Sequence, residues 1–115
     1  MSSGENVVSD FLRSLGIFWI FESPVFVKDD KDRPRVWTPD FYLPEFGIYI
    51  EVMGPYGNYE YRDIVFNKNR VPVVFIDPYN DQYWGHKIKD AIWEIHNSRY
   101  AMVQDITKRF KEMVG

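Results

Sequence analysis

Cysteine is missing from all 115 residues. That removes disulfides and thiolate metal sites and suits an intracellular protein. No run of about 18 apolar residues occurs, so nothing in the sequence reads as a membrane span. The opening residues, MSSGENVV, have no basic stretch ahead of an apolar one and do not read as a secretory signal. Repeats, low-complexity tracts and linkers are also missing, and one domain spanning residues 1–115 is expected. The net charge is only −3, which argues against a general polyanion binder.

Core-forming residues are plentiful. Hydrophobic residues make up 45% of the chain and aromatics 18%, enough for a real core and too much for a disordered segment. The charges are unevenly spread. Residues 1–61 carry 5 basic and 10 acidic side chains, and residues 62–111 carry 9 basic and 6 acidic. An acidic first part and a basic second part suit a protein that holds a cation in one place and a phosphate backbone in another. Ordinary mixed surface charge would look similar.

Apolar residues at three- and four-residue steps, Val7, Val8, Phe11, Leu12 and Leu15, predict a first helix. Ser2 and Glu5 have capping-box spacing before it, and Gly16 ends it. Residues 17–27, IFWIFESPVFV, read as one strand with Pro24 marking an edge or kink. Residues 28–35, KDDKDRPR, read as a solvated loop without core content. Residues 36–43 and 48–53 predict two further strands joined by Pro44-Glu45-Phe46-Gly47. A helix over 59–70 and a short buried strand over 71–78 follow. The rest, from about residue 82 to 113, is helical, with Ile88, Ile92, Ile95, Met102, Ile106, Phe110 and Met113 as one stripe that is either core or dimer interface. Asn97-Ser98 is a candidate break. The predicted order, α-β-β-β-α-β-α, implies an α/β fold with a small mixed sheet flanked by helices.

Two carboxylates stand in unusually apolar settings. Along IYIEVM, Ile48, Ile50 and Val52 share the core face, which puts Glu51 on the other face with Tyr49 and Met53. Asp40 lies between Pro39 and Phe41 on the preceding strand, and the hairpin spacing brings it beside Glu51. A carboxylate in such a place needs a cation, a proton or a hydrogen-bond donor. Two of them together favour a shared divalent cation, and Mg²⁺, with Mn²⁺ as an alternative, suits hard oxygen ligands completed by water and phosphate.

Pro39-Asp40, ten intervening residues and Glu51-Val52-Met53-Gly54 together resemble the PD-(D/E)xK nuclease superfamily, with its restriction-endonuclease-like core. The predicted element order over the first two-thirds of the chain resembles that core too, and the resemblance extends to small Holliday-junction-resolvase-type members. The resemblance implies Asp40 and Glu51 as metal ligands of a Mg²⁺-dependent endonuclease acting on duplex or branched DNA. Glu5 sits where many members place a further metal-binding glutamate, and equally where a capping box needs one. A homodimer is expected, because two strands call for two sites and two-fold dimers are the commonest assembly.

The departure is Met53, which stands where the family has a lysine. A thioether carries no charge and donates no hydrogen bond. Three readings follow: Lys68 or, less directly, Arg62 supplies the charge; the chain binds nucleic acid or a protein without cutting; or Met53 is a silencing change. Lys68, Arg70 and Arg62 are candidate phosphate contacts, the first two also being ordinary helix-end cations. Tyr56, Tyr59 and Tyr61 either stack on bases or pack at the site's edge. His86 and His96 have no second ligand at metal spacing and read as surface residues.

Overall fold

Ser2 starts the first helix. Its Oγ accepts a hydrogen bond from the Glu5 N–H at 3.2 Å, satisfying one of the open donors at the N-terminus. The helix α1, Ser3–Ser14, then buries Val8 and Leu12 one turn apart. It stops where Gly16 takes φ +68° and the Ile17 N–H reaches back to the Leu12 carbonyl at 3.0 Å. The computed structural model describes residues 1–54 and 59–115.

The stretch 17–27, expected as one strand, is two: β1 (Ile20–Phe21) and β2 (Val25–Lys28). Glu22 lies between them at φ +57°, followed by Pro24, and the chain turns out of the first sheet there. The stretch 36–43 divides in the same way, into β3 (Pro34–Trp37) and β4 (Phe41–Leu43), around Thr38-Pro39-Asp40. Then come β5 (Ile48–Val52), α2 (Glu60–Lys68), β6 (Val73–Ile76) and α3 (Trp84–Val114). The order is thus α-β-β-β-β-β-α-β-α, with two more strands than expected.

The main sheet has the order β1-β4-β5-β6, and β2-β3 form a separate antiparallel pair. β4 pairs antiparallel with both β1 and β5, and β6 runs parallel to β5 because α2 carries the chain across between them. The sheet is therefore mixed, and the fold is α/β. Ile48 and Ile50 of β5, Phe41 and Leu43 of β4 and Ile76 of β6 are buried against Val8 and Leu12 of α1 and Ile88 of α3. Each contributes about 1.5–3 kcal/mol by leaving water. The opposite face carries Val73 and Phe75, which pack on Val65 and Phe66 of α2 with Val25, Val27 and Trp37 of the β2–β3 pair. β6 is an edge strand, yet both of its faces are covered.

The loop between β2 and β3 is not the solvated, coreless segment its charge suggests. It closes around Asp29, which is only 2% exposed. Its carboxylate accepts from the main-chain N–H groups of Lys31 and Arg33, both at 2.9 Å, and from Arg33 Nε at 2.8 Å. Burial pushes the carboxyl up, but the donors of Arg33 and Lys31 outweigh it and hold Asp29 at about 2, against an ordinary 3.8.

The expected break at Asn97-Ser98 does not form. α3 is one helix of 31 residues, and neither Asn nor Ser costs an exposed helix enough to end it. Ala91, Ile92 and Ile95 pack against the core, whereas every residue from 96 onward is exposed. Only the first half of the long stripe is therefore core. Among the described residues no helix is long and apolar enough to cross a membrane.

Candidate functional site

β4 and β5 are in register as Phe41↔Ile50, Tyr42↔Tyr49 and Leu43↔Ile48. Continuing that register sets Asp40 opposite Glu51 and Pro39 opposite Val52. Pro39 has no N–H, and the ladder ends there. Side chains take over its last bonds. The Val52 N–H donates to Asp40 Oδ2 at 2.7 Å, and the Asp40 N–H donates to Glu51 Oε1 at 3.2 Å. Each carboxylate is thus fixed by main chain of the other's strand. The Asp40 carbonyl also accepts from the Glu22 N–H at 2.9 Å, which ties the same point to the end of β1.

A cation completes the group. Arg62, in the first turn of α2, donates from Nε to Glu51 Oε2 at 2.8 Å. Its guanidinium lies 4.6 Å from the Trp37 ring and 5.4 Å from that of Phe66, so aromatic faces hold it in place. Arg62 precedes Val65 and Phe66, the buried residues of α2, by three and four positions, so it lies on the helix's inward face.

Both carboxyls are pushed above their ordinary values. For Asp40, burial is the main cause, and the charges of Glu5 and Glu22 add to it. The Val52 hydrogen bond and the charge of Arg62 pull the other way. For Glu51, burial leads again, Asp40 adds to it, and Arg62 opposes it. The Glu51 side chain is only 14% exposed. Burial thus outweighs Arg62 at both carboxyls, and further positive charge would be favourable.

These residues fit a divalent cation. Both Glu51 oxygens and Asp40 Oδ2 already accept hydrogen bonds, but among the described residues Asp40 Oδ1 accepts none. No group of three His, Asp or Glu side chains is placed to hold a metal among the described residues. A pair of carboxylates is nevertheless a sufficient protein contribution for Mg²⁺, which keeps several waters.

The other candidates separate clearly. The Glu5 N–H donates to Ser2 Oγ, and the half-buried Glu5 side chain raises Asp40 through its charge. Beside it, the Gly4 N–H donates to the Tyr79 hydroxyl at 3.0 Å, and a Cβ on Gly4 would meet that ring at 2.9 Å. Lys68 is not at the carboxylates. Its Nζ lies 2.6 Å from Asp32 Oδ1 and 2.7 Å from the Asp29 carbonyl, bracing the β2–β3 loop. Lys68 is six residues beyond Arg62, about 120° away around the helix and about 9 Å along it. Met53 is half-buried, and its N–H donates to the Ile76 carbonyl at 2.8 Å, extending β5 along β6 on Glu51's side of the strand.

Arg70 is exposed, just past α2, at φ +56°. Tyr59 stacks on Phe75 with ring centroids 5.0 Å apart, and the Tyr61 hydroxyl donates to Asp30 at 2.8 Å. Tyr56 lies outside the described residues. His86 and His96 are exposed and lie against Tyr83 and Trp93. Glu22, close enough to act on Asp40, carries no sequence signal, because only the turn between β1 and β2 brings it there. Comparison of the chain with family models, with curated proteins and with solved structures finds no match.

Proposed function

We propose that this chain is a metal-dependent endonuclease with a restriction-endonuclease-like core, hydrolysing DNA phosphodiester bonds at Asp40 and Glu51. The observation that carries the reading is the mutual bracing of two half-buried carboxylates, Val52 N–H to Asp40 and Asp40 N–H to Glu51. Ordinary fold stability gives little reason to hold two raised acids side by side. The PD…EVM motif and the α/β order around it support the same reading.

A bound Mg²⁺ would polarise the scissile phosphate, lower the pKa of the attacking water and steady the leaving oxygen. Asp40 Oδ1 and the Glu51 carboxylate are the atoms that would hold it. Arg62 takes the part that a lysine at Met53 would play. With Nε on Glu51, its terminal nitrogens still have N–H groups to donate to a phosphate oxygen, and the charge of the guanidinium is permanent. It cannot serve as a base, so the water's proton leaves by solvent or by a phosphate oxygen. Attack forms one P–O bond to the water oxygen and breaks the P–O bond to the leaving oxygen.

A second reading is a member of the same fold that binds nucleic acid or a protein without cutting. Its support is the Glu51–Arg62 ion pair, which already places a cation on one carboxylate, together with the uncharged Met53. Incubation with linear, nicked and branched DNA in Mg²⁺ or Mn²⁺ separates the two. The endonuclease reading expects cleavage that Asp40→Asn abolishes. Cleavage of none of these substrates, or cleavage indifferent to Asp40→Asn, would reject it.

A further inference from the structure

The C-terminal half of α3 leaves the rest of the molecule. Arg99 marks the point of departure, with Nη1 donating to the Glu45 carbonyl at 2.7 Å. Beyond it, Met102, Val103, Ile106, Phe110, Met113 and Val114 are 54–84% exposed. At 100° per residue they continue the face that Ile88, Ile92 and Ile95 turn toward the core. The overhang, 16 residues or about 24 Å long, stretches the chain to 58 Å along its longest axis. The radius of gyration, 16.8 Å, exceeds the about 13 Å of a compact chain of this length.

We propose that this half-helix is the contact surface for a second copy of the same chain, packed against its counterpart in antiparallel fashion. Area is the first argument. Six side chains of that size and exposure present on the order of 600–700 Å² of apolar surface in one stripe, above the usual largest patch of a monomer. It approaches the roughly 800 Å² per partner of a standard stable interface.

Charge is the second. One edge of the stripe carries Asp105, Arg109 and Glu112; the other carries Val103, Thr107 and Val114, with Lys111 as its one charge. In an antiparallel pair, like edges meet. About a two-fold axis beside Thr107, Asp105 faces the partner's Arg109, and Arg109 faces the partner's Asp105. The two residues already pair within one helix, so each is oriented along that edge. On the other edge Lys111 faces the second copy's Val103, so no like charges meet. A parallel pair would instead set Asp105 and Arg109 against the edge of Val103 and Thr107.

The proposal rests on the helix alone and stands or falls separately from DNA cleavage. Sedimentation velocity of the full chain should give twice the 13.8 kDa chain mass. Ile106→Glu should return it to a single chain while the thermal midpoint at matched low concentration stays unchanged, because Ile106 touches no core residue. A second test uses the lack of cysteine. Ile106→Cys should yield a disulfide-linked dimer on oxidation, and Lys108→Cys, on the far side of the helix, should not. The proposal is overturned by a single-chain mass for the unaltered protein, whether or not it binds anionic vesicles. A dimer that survives Ile106→Glu, or equal cross-linking from Lys108→Cys, would also overturn it.

Discussion

Arg62 Nε stands 2.8 Å from Glu51 Oε2, and the same guanidinium is held 4.6 Å from the Trp37 ring. A permanent cation therefore borders the two carboxylates although Met53 offers none. It arrives from α2 and not from β5, so its absence from the strand's sequence is no measure of its absence from the site.

Arg62 has opposite effects on metal holding and on catalysis. Arg62→Ala should strengthen Mn²⁺ binding, measured by calorimetry, because a competing cation leaves Glu51. The same change should slow cleavage about 10²-fold, the usual cost of losing one donor to developing charge. Arg62→Lys should keep part of the rate. Weaker binding together with unaltered cleavage would show that Arg62 only props up the fold.

Lys68 and Met53 give a paired prediction. Lys68→Ala should leave the cleavage rate unchanged and cost less than about 1 kcal/mol of stability in urea unfolding, since its partner Asp32 is exposed. Met53→Lys should add little to the unaltered chain but recover cleavage in the Arg62→Ala background. If Lys68→Ala abolishes cleavage, the charge comes from Lys68 after a rearrangement of the β2–β3 loop.

The raised carboxyls set a pH dependence with a definite sign. Asp40 and Glu51 have ordinary values of 3.8 and 4.5 and are higher in the folded chain. The stability they contribute is complete below those ordinary values and is lost as pH rises through the raised ones. Without metal, the thermal midpoint should therefore rise as pH falls from neutral toward those ordinary values. Asp40→Asn keeps an acceptor for the Val52 N–H, and should flatten that slope and stabilise the chain at pH 7 by on the order of 1 kcal/mol. Mn²⁺ should reverse the slope, since metal displaces protons from its ligands. A midpoint that falls steadily from pH 7 to pH 5 without metal would contradict this.

Much of the site was legible in the sequence because β5 obeys a simple alternation. Ile48 and Ile50 face the core and Glu51 does not, and four turn residues suffice to return Asp40 beside it. The subdivided strands were not legible. Residues 17–27 and 36–43 have continuous strand composition, and what cuts them is a left-handed Glu22 and a ladder that ends at Pro39. Both are decided by which strand pairs with which. Lys68 was misplaced because nothing in the sequence shows that the β2–β3 loop brings the Asp29 carbonyl and Asp32 to its Nζ; Val65 and Phe66 already mark Arg62's side of α2 as inward. The long α3 stripe was legible as apolar, but its period cannot tell where the sheet beneath it stops.

Asp29 anchors the β2–β3 pair on which Trp37, and hence Arg62, depends. Asp29→Ala should lower the thermal midpoint at neutral pH and weaken the effect of Arg62 on cleavage. Because the folded value is depressed to about 2 from 3.8, the stability it contributes is present above 3.8 and disappears as pH falls through about 2. The midpoint difference between Asp29→Ala and the unaltered chain should vanish over that window. A difference that persists unchanged at the acid end would mean that the loop is held by something other than this carboxylate.

The most direct test is a crystal soaked in Mn²⁺ and read by anomalous scattering. A peak at about 2.0–2.6 Å from Asp40 Oδ1, the range of hard-cation oxygen contacts, and in contact with Glu51 is expected, and it should be lost in Asp40→Asn. Full Mn²⁺ exposure with no peak between the two carboxylates, or a peak that survives Asp40→Asn, would contradict the assignment of Asp40 and Glu51 as the metal-holding pair.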